Sequence, residues 1–100
     1  MTELEKAIAK ELRLSDKAAE KLLTIIQRHI RTARSELIRT GVSSDLAESS
    51  NTLVEDAVIT YCLYKMDDEE MRDKNWNAFV YQCDNLRKST IKEKENKSEE

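Results

Sequence analysis

Residues 53–66, LVEDAVITYCLYKM, form the most apolar stretch of the chain and decide its fold. Ten of these fourteen residues are apolar or aromatic. At about 100° per residue, half of a helical circumference is covered by Leu53, Val54, Ala57, Val58, Tyr61, Cys62 and Tyr64. Ile59 and Leu63 lie outside that half, so a helix here needs neighbours on more than one side. The stretch therefore predicts the central helix of a small all-α domain. It is too short to span a membrane, which takes about 20 apolar residues.

The composition of the whole chain is typical of helices. It has no proline, one glycine and 37% charged residues in 100 residues, enough for one core without disulfide or metal support. A net charge of -3 and a pI near 5.3 do not indicate bulk affinity for nucleic acid, although a net value can hide patches of opposite sign. The opening MTELEKAIAK lacks the apolar run of a secretory signal, so we expect an intracellular protein.

Capping signals predict two helices before the central one. Thr2 and Glu5 have the spacing of a capping box, which opens a short helix over residues 2–13. Ser15 or Asp16 can cap a second, long helix over residues 16–39. Gly41, the only glycine, follows where a left-handed residue would end that helix.

The rest of the chain predicts a loop, the central helix, a fourth helix and a tail. We expect a loop over residues 42–51 anchored by Leu46, and a second capping box, Thr52 with Glu55, at the start of the central helix. The fourth helix begins in the acidic run that follows and ends near Ser89. Its predicted core stripe is Trp76, Phe79, Val80, Cys83 and Leu86. The sequence thus predicts a bundle of about four helices in one domain, residues 1–89, and a disordered charged tail, residues 90–100.

Residues that catalysis or metal binding would need are scarce. His29 is the only histidine, and the two cysteines, Cys62 and Cys83, stand among apolar neighbours. Two buried reduced thiols are the simpler interpretation, with a disulfide as the alternative. Contiguous carboxylates point to different sides of a helix and do not match a calcium loop. We therefore expect no catalytic residue, no cofactor and no metal site.

The second helix carries opposite faces of different chemistry. Its core stripe is Ala19, Leu22, Ile26, Ile30, Ala33 and Leu37. Diametrically opposite lies the cationic face, which comprises Lys17, Lys21, Arg28, Arg31 and Arg39. A solvated surface explains this face, and so does a docking surface for an acidic partner, a neighbouring subunit or a phosphate backbone.

Two further surface features are candidates for interaction. The acidic run comprises Asp67, Asp68, Glu69, Glu70 and Asp73, and it is either a solvated helix start or a counter-face for the cationic face. Another acidic surface could form from Glu48, Glu55 and Asp56. Tyr81 points away from the stripe of Trp76 and is a candidate interface aromatic. Trp76 and Tyr61 themselves are predicted to lie in the core.

Three stretches resemble the small head–tail connector, or head-completion, proteins of tailed bacteriophages and prophages. Residues 4–33, LEKAIAKELRLSDKAAEKLLTIIQRHIRTA, resemble that family's short helix, leucine-rich break with an acidic residue, and long helix. Residues 52–66, TLVEDAVITYCLYKM, are similar to the hydrophobic third helix of that family, and WNAFVYQCDNLRKST, residues 76–90, to its terminal helix.

The resemblance implies a structural protein without enzymatic activity. Such proteins assemble as a ring of about a dozen copies beneath the portal, extend the DNA channel and receive the next connector or tail-completion protein. The expected location is then the head–tail interface of the virion, and the host cytoplasm during assembly. DNA would pass close by without specific contact, and no membrane is involved.

A small helical nucleic-acid-binding or regulatory protein is the alternative. In that case the cationic face would contact phosphates, and the contact would be independent of sequence, because Gln27 lies off the face and no other amide accompanies the arginines.

Overall fold

The structure is a computed structural model that describes the backbone of residues 1–98 and the side chains of residues 1–89. Every regular element among the described residues is a helix, in agreement with the predicted all-α class. Its elements are α1, Glu3–Glu11; α2, Asp16–Arg39; α3, Ser44–Ala47; α4, Thr52–Met66; a single 3-10 turn, Glu69–Met71; and α5, Arg72–Ser98. The predicted disordered tail lies outside the residues whose side chains are described, and it stays a prediction.

The bundle has five α-helices among the described residues, where about four were predicted. The additional helix is α3, a single turn inside the predicted loop. Ser43 caps it by accepting from the Leu46 amide at 3.3 Å, and Arg34 of α2 donates to the carbonyls of Ala47 and Ser49 at 2.7 and 2.9 Å. One turn is too short to produce a recognisable apolar period, which is why the sequence did not indicate it. Leu46 packs against the core, as predicted for an anchor.

Helix α4 is the central element, as its apolar sequence predicted. It contacts α1, α2 and α5. Its buried side chains are Val54, Ala57, Val58, Tyr61 and Cys62. Leu53 was predicted to face the core but is 63% exposed, because it lies in the first turn, where no neighbouring helix covers it. The described thiols of Cys62 and Cys83 are both buried and free.

The caps of α1 and α2 follow the predicted residues. Thr2 and Glu5 form the reciprocal capping box, and the Ser15 hydroxyl accepts from the Ala18 amide at 3.2 Å. Helix α2 has the predicted bounds. Both helices end in the same way, with a left-handed residue directly after the C-cap, Arg13 at φ 58° and Gly41 at φ 109°.

The start of α4 differs from the predicted capping box. Asn51, not Thr52, is the N-cap, and its side-chain oxygen accepts from the amides of Leu53 and Val54 at 2.9 and 3.3 Å. Both residues are good caps, and the Asn51 oxygen prevails because it satisfies two unpaired amides of the first turn at once.

Helix α5 runs antiparallel to α4 and then past the end of α2. Phe79 packs against Tyr61 with tilted rings whose centroids are 5.1 Å apart, and Trp76 packs in the same way against Tyr64 at 5.0 Å. Further along, the aliphatic stem of Arg87 covers Gly41, where an added Cβ would approach Arg87 Cδ to 3.1 Å. The helix begins at Arg72 and continues past Ser89, where its end was predicted.

Candidate interaction surfaces

The cationic face projects from the exposed side of α2. All five of its residues are exposed. Their orientation is fixed because the opposite side of the helix buries Ala19, Ile26, Ala33 and Leu37. Arg39 forms an ion pair with Glu36 at 2.8 Å. The other four members, Lys17, Lys21, Arg28 and Arg31, have no ion-pair partner within the described residues. This leaves a row of cations available to another molecule.

The acidic run occupies the connection between α4 and α5. All five of its residues are exposed. Asp67 ends α4 and Glu69 and Glu70 lie in the 3-10 turn, so only Asp73 stands in the first turn of α5. The prediction that these carboxylates start the helix is therefore wrong for most of them, because the helix begins later. Within the side chains described, no ion pair joins the acidic run to the cationic face, and the two surfaces belong to different elements.

The exposed aromatic Tyr81 stands at the mouth of a groove between α2 and α5. Tyr81 is 68% exposed, as predicted. Trp76 and Val80, predicted to lie in the core, are 38% and 48% exposed and line the same groove. Their phase on the helix is correct, but α4 covers only the Phe79 side of the stripe. The apolar stripe of α5 is wider than the area that one neighbouring helix can cover, and this width was the sequence feature that could have indicated the groove.

The α2–α5 groove encloses about 500 Å³. Its floor is formed by Phe79 and Cys83, which are almost fully buried. The remaining lining residues are Glu36, Arg39, Thr40, Trp76, Asn77, Val80, Tyr81, Asp84 and Arg87. An apolar floor between charged rims is the form of a site for a protein side chain or a helix.

Ion pairs within each helix organise the rims of the groove. On α2, Glu36 binds Arg39, and on α5, Asp84 binds Arg87 and also Lys88, the latter at 3.1 Å. Lys88, and then Arg87, hold the pKa of Asp84 below its ordinary value. The charged residues that line the groove are therefore two ion pairs, Arg39 with Glu36 and Arg87 with Asp84, and Lys88 lies outside the lining.

Burial favours the uncharged forms of Cys62, Cys83 and His29. Burial raises the pKa of the Cys62 thiol to about 12 and also raises that of Cys83, so neither is a thiolate nucleophile at neutral pH. Burial, with Lys65 and Arg28 nearby, lowers the pKa of His29. Among the described residues no group of three or more histidine, cysteine or carboxylate side chains is placed to hold a metal ion.

A second crevice separates the start of α1 from α2 and α4. It encloses about 580 Å³, and its lining includes Glu5, Gln27, Arg31, Arg34 and Glu55. Gln27 donates to Glu5 at 3.0 Å, and Arg34 is committed to the carbonyls beside α3. Its polar groups thus largely serve the fold. None of the helices, over the residues described, is long and apolar enough to cross a membrane.

Sequence reasoning identified the charged surfaces and missed two apolar ones. The groove was not predicted because Trp76 and Val80 were assigned to the core. The exposure of Leu53 was not predicted because it belongs to the apolar half of α4. No protein-family model matches this chain, and no curated protein and no solved structure matches it either. What the protein does is therefore inferred from its surfaces and from the residue patterns of its helices.

Proposed function

We propose that the protein is a subunit of the head–tail connector ring of a tailed bacteriophage or prophage. In this role about a dozen copies form a closed ring that sits beneath the portal, lengthens the DNA channel and receives the next connector or tail-completion protein. The protein acts as a building block and performs no chemistry. It lies at the head–tail interface of the virion, and before assembly it is in the host cytoplasm.

One observation carries this proposal: charges of opposite sign are segregated on different elements and left unpaired. Lys17, Lys21, Arg28 and Arg31 project from α2 without an ion-pair partner among the described residues, and the acidic run projects from the α4–α5 connection. A ring is built from head-to-tail contacts in which each copy offers two different patches. Opposite patches on one subunit are what such a contact requires, and complementary charge sets its orientation.

The residue patterns of α1, α2, α4 and α5 support the same role. The central α4 and the aromatic α5 resemble the corresponding helices of connector proteins, and α2 carries the long amphipathic pattern. The apolar face of α2 packs in the core of the subunit, and its cationic face is available to bind a neighbouring subunit.

Charge reversal on the cationic face tests the proposal. We expect the purified protein, alone at high concentration or with the portal protein of the same phage or prophage, to form rings visible by electron microscopy. Arg28→Glu combined with Arg31→Glu should abolish them while the circular dichroism spectrum stays helical. Lys6→Glu with Lys10→Glu is the matched control, because both lysines are exposed on α1, outside the face. If portal protein neither recruits the wild-type chain nor promotes its ring formation, the proposal is wrong.

A second candidate function, binding to a nucleic-acid backbone, is favoured by the length of the cationic face. Lys17 and Arg39 are 22 positions apart, which at 1.5 Å per residue is about 33 Å of helix. Such a row could follow phosphates without reading bases. It predicts DNA affinity that falls steeply with salt. Lys21→Glu with Arg28→Glu should then lower that affinity, and unchanged affinity would exclude this function.

A further inference from the structure

The α2–α5 groove is an apolar site that the described residues leave uncovered. Val80 and Trp76 remain 48% and 38% exposed on its wall, beside a floor of Phe79 and Cys83. Arg39 belongs both to the α2 rim of the groove and to the cationic face. From Arg39 the cationic face continues along α2 to Arg31 and Arg28, which lie about 12 and 16 Å away along the helix axis. An occupant with an apolar side chain flanked by carboxylates would match both the apolar groove and this cationic face.

Leu53, at the start of α4, is an apolar side chain that the described residues leave largely uncovered. It is 63% exposed, more than any other described aliphatic residue of its size. It does not line the groove of its own chain. Along α4, Leu53 stands eleven residues before Tyr64, the residue that contacts Trp76, which is a separation of about 16 Å. One subunit thus carries an apolar projection and an apolar groove at different places.

The chain segment around Leu53 carries carboxylates and no cation of its own, although Glu55 shares the second crevice with Arg31 and Arg34 of α2. From position 40 to position 64 the chain contains four carboxylates and no lysine, arginine or histidine. These are Asp45, Glu48, Glu55 and Asp56. None of them has an ion-pair partner among the described residues. Asp56 lies one helical turn after Leu53, so an unpaired carboxylate accompanies the apolar side chain.

We infer that the occupant of the α2–α5 groove is the start of α4 from a second copy of this chain. Leu53 enters between Val80 and Trp76, and the carboxylates around it meet Arg39 and the neighbouring cationic face. The contact joins two different patches, so it repeats from copy to copy in one direction. This inference rests on the proposed ring and specifies one of its contacts, in which the acidic segment around Leu53 binds the neighbouring copy.

Two blocking variants test the inference by complementation. Leu53→Asp removes the projection, and Val80→Glu closes the groove; both sites are exposed, so the fold should persist, as the helical circular dichroism signal checks. Each variant alone should stay monomeric in sedimentation up to at least about ten times the concentration at which the wild type assembles. Mixed together, they should form a dimer and nothing larger, because one intact projection can enter one intact groove. Ala78→Glu is the matched control on the exposed side of α5 outside the groove, and it should assemble normally.

Each other result overturns the inference. Wild-type protein that stays monomeric up to about 1 mM, variants that assemble like the wild type, or a mixture that yields no dimer would each show that Leu53 does not occupy the groove. The connector proposal has a separate outcome. Rings that form normally with Leu53→Asp but are lost with Arg28→Glu and Arg31→Glu would remove this contact and leave the connector function standing.

Discussion

Arg13 holds a backbone conformation that usually belongs to glycine. It follows the C-cap of α1 at φ 58°, and the Leu14 amide after it donates to the Ala9 carbonyl at 3.0 Å. The same motif after α2 uses Gly41. A residue with a side chain in the left-handed region costs about 1–2 kcal/mol relative to glycine. Replacing it by glycine would recover only part of this free energy, because glycine also makes the unfolded chain more flexible.

Arg13→Gly should therefore raise the free energy of unfolding by about 0.5–1 kcal/mol. Arg13 is exposed and forms no ion pair with described side chains, so little is lost with its guanidinium. Urea unfolding measures the change. Arg13→Ala, which keeps the Cβ, is the control and should stay within about 0.5 kcal/mol of the wild type. Equal stabilisation by both variants would place the cost in the charge and not in the backbone.

Glu5 is a buried carboxylate whose charge the fold depends on. Its two oxygens accept from the Thr2 amide at 2.7 Å and from the Gln27 side chain at 3.0 Å, and it is only 6% exposed. These two hydrogen bonds, that of Thr2 first, hold the pKa of Glu5 below its ordinary value of 4.5. Because the unfolded chain binds the proton more readily, the stabilisation is fully present above pH 4.5 and is lost as the pH falls through the lower pKa of the folded state.

Glu5→Gln should be less stable than the wild type by about 1–2 kcal/mol at pH 7, because one amide oxygen cannot replace two carboxylate oxygens. The difference should shrink below pH 4.5. Urea unfolding from pH 3 to pH 7 measures it, with Glu20→Gln, at an exposed position of α2, as the control. A difference between wild type and Glu5→Gln that is independent of pH would contradict the assigned role of the charge.

At the scale of the element, the start of α4 depends on one side chain. Asn51 accepts from two amides, and Thr52, the adjacent residue, stands inside the first turn. Asn51→Ala should lower the free energy of unfolding by about 1 kcal/mol, as expected for a lost N-cap. Thr52→Ala should change it by less than about 0.5 kcal/mol. Thermal unfolding of the pair decides between the caps; a larger effect at Thr52 would restore the capping box that the sequence predicted.

The elements that sequence predicted well are those whose signals are local. Helix α2 has the predicted bounds because Ser15, Gly41 and a continuous apolar stripe each act within a few residues. The exposure of Leu53 and Val80 was not predicted, for the same reason at both positions. Apolar periodicity fixes which way a side chain points, but the area that a neighbouring helix covers depends on where that helix passes. The same limit applies to the groove, which exists only because α5 passes the end of α2.

At the scale of the whole molecule, charge governs association far more than folding. The ion pairs within the described residues join exposed or half-exposed side chains, so each contributes little to stability. The unpaired surfaces around Arg28 and Asp56, by contrast, have partners only on another copy in the proposed assembly. Salt should therefore separate the two processes.

Raising the salt concentration from 0.1 M to 1 M shortens the screening length from about 10 Å to about 3 Å. We expect self-association, followed by sedimentation, to weaken by at least about tenfold over this range, while the free energy of unfolding changes by less than about 1 kcal/mol. Arg28→Gln with Arg31→Gln should associate more weakly at low salt and respond less to added salt. Association that strengthens with salt would indicate that apolar contact alone drives it.

Residues 40–64, the stretch around Leu53 that contains no cation, also determine which chemical reagents can label or cut this part of the chain. Trypsin cuts after lysine and arginine, so a complete digest releases Thr40–Lys65 as one peptide that carries Leu53 and all four of its surrounding carboxylates. Amine-directed cross-linkers find no lysine on this surface before Lys65. Reagents that couple carboxylates to amines do find targets there. Mass spectrometry of that single peptide can therefore identify what meets the start of α4, whether another copy or a different protein.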